Sequence, residues 1–368
     1  MPTALDPRHF SQTPAEASEK FAAACRKAGV SPVIFTHPLK GPDGESLATM
    51  LAQVGPPEAP KSLMVVSGTH GIEGYAGGGI MCHVLSNPGE IRLPADTSLV
   101  FVHMINPWGL AWNRRENEDN VDLFRNLLYC APPPYAENPG FDAIADFLTP
   151  AEWSGPGREE ADRRLASFVQ QNGERELMRI MRAGQHKHPK SLTYHGRGPT
   201  WSKRVVDRVI DGWLSHAKAV ATLDIHTGYG PSGEGLIMSY AQEGSPGLEW
   251  LREWYGEVHV AGHDPLIPTH ARWPYDIVAD RVPGARVRTV ALEYGSSPTN
   301  ELSFDLVRAA NWHHLRGDPT SPEARAIQKQ FRARFYVETD DWKTRVLRRG
   351  IEVFEKTRDG LEAWGRAG

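Results

Sequence analysis

The chain has 368 residues, with 41 Lys and Arg against 45 Asp and Glu, three Cys, and 40% apolar residues. A formal charge of -4 leaves no basic excess for phosphate backbones, which argues against nucleic acid as a partner. No apolar run approaches the roughly 18 to 20 residues that cross a bilayer, so a soluble globular protein with a full core and no membrane partner is expected.

Near the N-terminus Thr13, Pro14 and Glu16 combine a hydroxyl N-cap, a proline at the first helical position and a carboxylate three residues after the cap. They predict a helix to about Lys27, ended by Gly29. Short runs rich in Val, Ile and Leu follow at 32–35, 64–67, 99–105, 219–225 and 287–292, as expected of strands buried on both faces. Helical patterns at 78–85 and 201–214 separate several of them. The alternation predicts an α/β fold with a mixed, largely parallel central sheet flanked by helices.

From about 131 to 200 the chain is rich in Pro, Gly and charge, which predicts an insertion on one rim with a helical middle at 159–182. The tail, about 318–368, is expected to be a helical extension of a single catalytic domain spanning 1–368. Within it Trp342, Val346, Leu347, Ile351, Phe354 and Trp364 fall near one helical stripe, for packing on the body or on a second subunit of a homo-oligomer. Cys25, Cys82 and Cys130 are too few and too scattered for a disulfide framework or a thiolate zinc cluster. The opening MPTALDPRHF lacks a basic stretch followed by an apolar one, and together these features predict a cytoplasmic location.

In open α/β sheets ligands sit beyond the carboxyl ends of the strands. There the runs end in Thr69-His70-Gly71-Ile72-Glu73-Gly74, in Asn113-Arg114-Arg115, in His226-Thr227-Gly228 and in Glu293-Tyr294-Gly295. Two histidines, two glutamates and an arginine pair would converge on one rim. A catalytic zinc takes three nitrogen or oxygen ligands and keeps one position open. His70 and Glu73 form an HxxE pair that can chelate one ion from a single turn, and His226 would be the distant third ligand. Asp224 lies two residues before His226, on the same face of the strand, and could orient a ligand. Neither a P-loop nor a GxSxG elbow occurs, which sets aside nucleotide and serine-hydrolase chemistry.

The set SGTHGIEG, INPWGLAWNRRENEDNVDLFRN, LDIHTG and LEYG resembles the zinc carboxypeptidase superfamily. It is most similar to a bacterial branch catalogued as a domain of unknown function, related to the succinylglutamate desuccinylase and aspartoacylase group. The resemblance spans about residues 30 to 315. It implies one zinc per chain on His70, Glu73 and His226, Glu293 as general base and acid, and Arg114 or Arg115 as the arginine that stabilises the oxyanion.

NVDLFRN resembles the family's substrate-carboxylate clamp, commonly DLNRN. Arg125 matches its arginine, with Asn126 beside it, but Phe124 replaces the usual asparagine, which would favour an apolar or aromatic substrate group. Tyr194 and Tyr275 are the candidates for the family's mobile tyrosine. The expected function is a zinc-dependent hydrolase that cleaves an amide or peptide bond of a small peptide or N-acyl amino acid. A zinc deacylase or esterase of the aspartoacylase kind, or a silent binding protein on the same fold, are the alternatives.

Overall fold

The computed structural model of the chain describes residues 4–129, 135–260, 272–296 and 303–364. Cys130, residues 131–134 of the insertion, His263 and His270 lie outside the described residues.

The first helix forms where its signals stand, at Pro14–Lys27. The Thr13 hydroxyl accepts the Glu16 N–H at 3.2 Å, and Gly29 leaves the helix at φ 72°. The strands are β1 (Val33–Lys40), β2 (Ser46–Val54), β3 (Lys61–Ser67), β4 (Thr97–His103), β5 (Ala219–Ser232), β6 (Gly235–Ser239), β7 (His259–Val260) and β8 (Arg286–Gly295). They build one sheet in the order β1-β2-β4-β3-β5-β8-β6-β7. The four middle strands, β4, β3, β5 and β8, run parallel, while β1, β2 and β6 pair antiparallel with their inner neighbours. The expected mixed, largely parallel sheet flanked by helices is therefore the observed one. The spans expected from apolar runs are β1, β3, β4, β5 and β8. β2, β6 and β7 fall outside those runs: Thr49 and Gln53 interrupt β2, β6 carries only Leu236-Ile237-Met238, and β7 is two residues long.

Both faces of the sheet are covered, and alternation divides the side chains between them. Leu63, Val65, Phe101, Leu223 and Leu292 face a core shared with Phe21, Ile80, Trp342, Val346 and Phe354. Met64, Val66, Val102, Val220 and Ala291 face a second core with Leu123, Leu127, Val205, Val206 and Tyr275. The tail forms the helix Asp340–Trp364 and packs on the body: Trp342 Nε1 donates to the Gly295 carbonyl at 2.8 Å. The Tyr294 hydroxyl, on the same side, donates to the Val346 carbonyl at 2.9 Å. Of the insertion, Pro139–Leu148, Gly155–Asn172 and Glu174–Ala183 are helical. The expected helix at 159–182 is broken at Gly173, whose φ of 83° no helix accommodates. These helices gather a small core of their own around Phe141, Ile144, Leu148, Leu177 and Ile180.

Candidate metal centre

The parallel strands deliver their carboxyl ends to one rim. After β3, Gly68 turns at φ 78°, Thr69 and His70 leave the sheet, and the chain makes one 3-10 turn, Gly71–Glu73. The helix Gly74–Ser86 follows directly. The turn is pinned from outside: the N–H groups of Gly71 and Ile72 donate to the carbonyls of Arg115 and Arg114 at 3.1 and 2.8 Å. A Cβ on Gly71 would stand 2.3 Å from the Gly109 carbonyl carbon, so only glycine fits. β5 supplies Asp224 and His226, and β8 places Glu293 beside His226 in the parallel register.

His70, Glu73 and His226 are all buried, and each offers a ligand atom within 4.8 Å of the others. Both imidazoles direct Nδ1 to the glutamate, His70 at 3.0 Å from Oε1 and His226 at 2.9 Å from Oε2. The far nitrogen of each ring meets another carboxylate. His226 Nε2 lies 2.7 Å from Asp224 Oδ2, and His70 Nε2 lies 3.6 Å from Asp122 Oδ1. Were a metal to take Nδ1, the carboxylate at Nε2 would hold the remaining ring proton and orient the ring. Asp224 is itself fixed, accepting from Thr69 Oγ1 at 2.8 Å and from Trp273 Nε1 at 3.3 Å. Two imidazole nitrogens and one carboxylate, each braced from behind, form a donor set that fits zinc.

The electrostatics agree with this arrangement. Burial opposes ionisation of Glu73, but His70 and His226 outweigh it and hold its carboxyl well below the usual range. Burial, and then the charge of Glu73, push Glu293 up to about 7 against the pull of His226, His70 and Arg115. A carboxyl tuned near neutrality is suited to take up a proton and return it.

The two adjacent arginines part company. Arg115 faces the cluster, its Nη2 3.1 Å from His70 Nδ1 and its Nε 3.4 Å from Glu73 Oε1. Arg114 is buried on the other side, where it binds Asn120 Oδ1 at 2.5 Å, Glu116 Oε2 at 2.9 Å and the Ala310 carbonyl at 3.3 Å. The oxyanion role expected of the pair is thus geometrically open to Arg115 and not to Arg114.

The residues expected to bind substrate make contacts within the protein. The Arg125 guanidinium bonds Asp122 and the Arg182 carbonyl. The Asn126 amide donates to the His195 and Gly198 carbonyls at 2.9 Å each and accepts from the Thr200 hydroxyl at 3.0 Å, so it anchors the insertion. Tyr275 is fully buried beneath the site, its hydroxyl 3.0 Å from Thr69 Oγ1. Tyr194 touches the site through its backbone, its carbonyl accepting the Asp122 N–H at 2.7 Å. His103 is stacked on Phe21 in the core at a centroid distance of 4.3 Å.

Three contributors escaped the sequence reading. Asp122 stands two residues before Phe124 in NVDLFRN, and that spacing to the motif was the available signal. Thr69 adjoins His70, and Trp273 lies just before Tyr275, but nothing local tells that both reach Asp224. Phe124 lies beside the two histidines, its ring 5.9 Å from that of His70, 6.1 Å from His226 and 5.2 Å from Trp273.

A family model described as a protein of unknown function, DUF2817, matches residues 10–349. The chain belongs to this family. The DUF2817 match agrees with the bacterial branch that the motifs resemble. No curated protein matches the sequence. Among solved structures, carboxypeptidase A from Helicoverpa armigera is similar at 13% identity, covering 90% of this chain and 77% of that one, with a TM-score of 0.46. Bovine thrombin-activatable fibrinolysis inhibitor, in complex with tick carboxypeptidase inhibitor, is similar at 13% identity, covering 88% and 100%, with a TM-score of 0.46. An aspartoacylase family protein from Mesorhizobium loti is similar at 14% identity, covering 78% and 67%, with a TM-score of 0.34. Among the described residues of this DUF2817 chain, no helix is long and apolar enough to cross a membrane.

Proposed function

We propose that this chain is a zinc-dependent hydrolase that cleaves an amide or peptide bond of a small peptide or N-acyl amino acid with carboxypeptidase-like chemistry. The observation that carries the reading is the braced triad, with Nδ1 of His70 and of His226 both facing Glu73 and Glu293 in register beside His226. When bound, zinc supplies Lewis acidity and a lowered pKa for water. Glu293 accepts a proton at its carboxylate and passes it to the leaving nitrogen. Arg115 presents its guanidinium to the negative charge that develops on the carbonyl oxygen. Asp224 and Asp122 hold the two imidazoles in the required tautomer and orientation.

The test is elemental analysis of the purified protein together with a chelator-reversible screen of short peptides and N-acyl amino acids. The reading expects about one zinc per chain and turnover that stops with chelator. Glu293→Gln should retain zinc and lose at least a hundredfold in kcat, whereas His70→Ala should lose the metal. Full activity of Glu293→Gln removes Glu293 from the mechanism, and stoichiometric zinc in His70→Ala removes that ligand assignment.

A further inference from the structure

An open cavity of about 310 Å³ lies on the insertion, between the carboxyl end of the helix Pro139–Leu148, the loop 187–191 and Arg316. That volume is at the small end of the range for small-molecule sites. None of its lining residues belongs to the metal centre. The loop falls in the stretch HKHPKS at 186–191, and its backbone is held from two sides. Gln185 Nε2 donates to the carbonyls of His188 and Leu192 at 2.9 and 3.1 Å, and Gln185 Oε1 accepts the His188 N–H at 2.8 Å. Asn120 Nδ2 donates to the carbonyls of Pro189 and Ser191 at 2.9 Å each. A backbone braced in this way presents its side chains with little left to order on binding.

The charges around the cavity are used unevenly. Lys187 pairs with Glu137 and Asp142, and His188 Nε2 lies 2.8 Å from Asp142 Oδ1. Asp146, Lys190 and Arg316 also line the cavity, yet among the described residues none of the three has a side-chain hydrogen bond or an ion pair, even with one another. Each is exposed, so water serves it in the free protein. The floor carries Thr149 Oγ1 and Ser191 Oγ, both buried and 2.9 Å apart. Two hydroxyl protons share that single bond, which leaves one proton without an acceptor among the described residues.

A simple anion would meet Lys190 and Arg316 but be repelled by Asp146, and a simple cation would meet the reverse. A molecule that bears both charges a few bonds apart satisfies all three side chains, and its carboxylate can take the spare hydroxyl proton as well. We infer that this cavity binds a free α-amino acid as its zwitterion, with the carboxylate towards Lys190, Arg316 and the Thr149–Ser191 pair and the ammonium towards Asp146. The inference goes beyond the hydrolase reading and does not depend on it, although a hydrolase of peptides or N-acyl amino acids releases a molecule of this kind.

The test is isothermal titration calorimetry of the full chain with each of the twenty standard amino acids in turn. At least one should bind in the millimolar range or tighter; no binding of any of them up to about 10 mM overturns the inference. The tightest is then compared with its N-acetyl derivative, which lacks the ammonium, and with its amide, which lacks the carboxylate. Each derivative should bind about tenfold more weakly, the loss of one charge-assisted contact. An N-acetyl derivative that binds as tightly as the free amino acid makes this an anion site and overturns the inference, as does an equally tight amide.

Asp146→Asn and the double variant Lys190→Gln/Arg316→Gln place the ligand, and as exposed substitutions they should melt like the parent. Each should weaken the free amino acid about tenfold, while Asp146→Asn should not weaken the N-acetyl derivative and the double variant should not weaken the amide. Parent-like affinity for the free amino acid in both variants puts it elsewhere on the chain and overturns the inference. No reading here uses zinc content or turnover, so a failure of the hydrolase reading would be seen separately.

Discussion

Asp224 is the side chain on which the metal centre can be tested without knowing a substrate. Its carboxylate is fully buried and takes three hydrogen bonds: His226 Nε2 at 2.7 Å, Thr69 Oγ1 at 2.8 Å and Trp273 Nε1 at 3.3 Å. In Asp224→Asn the amide oxygen can stay with His226 and Trp273. The amide nitrogen then meets Thr69, whose hydroxyl can turn its proton to Tyr275. Shape and bond count survive, and the negative charge that makes His226 a stronger donor is lost. Removing such a support costs roughly 10- to 100-fold in metal affinity, or about 1.4 to 2.8 kcal/mol. Asp224→Ala goes further, because it leaves the buried His226 and Trp273 donors unpaired at roughly 1 to 3 kcal/mol each, and it should lower the melting temperature as well. Zinc affinity is read by competition with a chromophoric chelator, alongside a thermal melt. An Asn variant that melts like the parent and binds zinc within twofold of it would refute the claim that Asp224 tunes His226.

The two adjacent arginines should separate cleanly. Arg114→Lys should mainly lower the melting temperature, since Arg114 ties Asn120, Glu116 and the Ala310 carbonyl together, whereas Arg115→Lys should fold normally and lose at least tenfold in kcat. A kcat loss equal in the two variants would contradict this division. His103 gives a pH prediction. Burial lowers it from 6.5 to about 3, and both ring nitrogens lack a hydrogen-bond partner among the described residues. The unfolded chain therefore binds a proton that the folded one refuses, so this residue costs stability as pH falls below 6.5, by about 1.4 kcal/mol per pH unit, until about pH 3. His103→Phe keeps the stacking on Phe21 and should flatten that slope in urea titrations run from pH 7 to pH 4; an unchanged slope would assign the acid sensitivity to other groups.

The sequence by itself determined the middle of the sheet and the donors at its rim. Strands buried on both faces must be continuous apolar runs, so β3, β4, β5 and β8 stand out, and their carboxyl ends bear His70, Glu73, His226 and Glu293. These residues act from where the backbone leaves them: HxxE closes within one turn, and strand alternation puts Asp224 and His226 on one face. The same logic is silent on β2, β6 and β7.

Only the tertiary structure decided what the long polar side chains do. Arg114 and Arg115 are neighbours in the chain, yet one reaches Ala310, 196 residues away, and the other reaches the ligands. Arg125 and Asn126 match a clamp in sequence, but the insertion surrounds them, and their bonds go to Arg182, His195, Gly198 and Thr200. Trp273 and Tyr275 become supports only because the loop before β8 folds beneath β5. A long side chain bearing several donors can satisfy them in many directions, and the partner it takes is set by which distant backbone the fold brings within 3 Å.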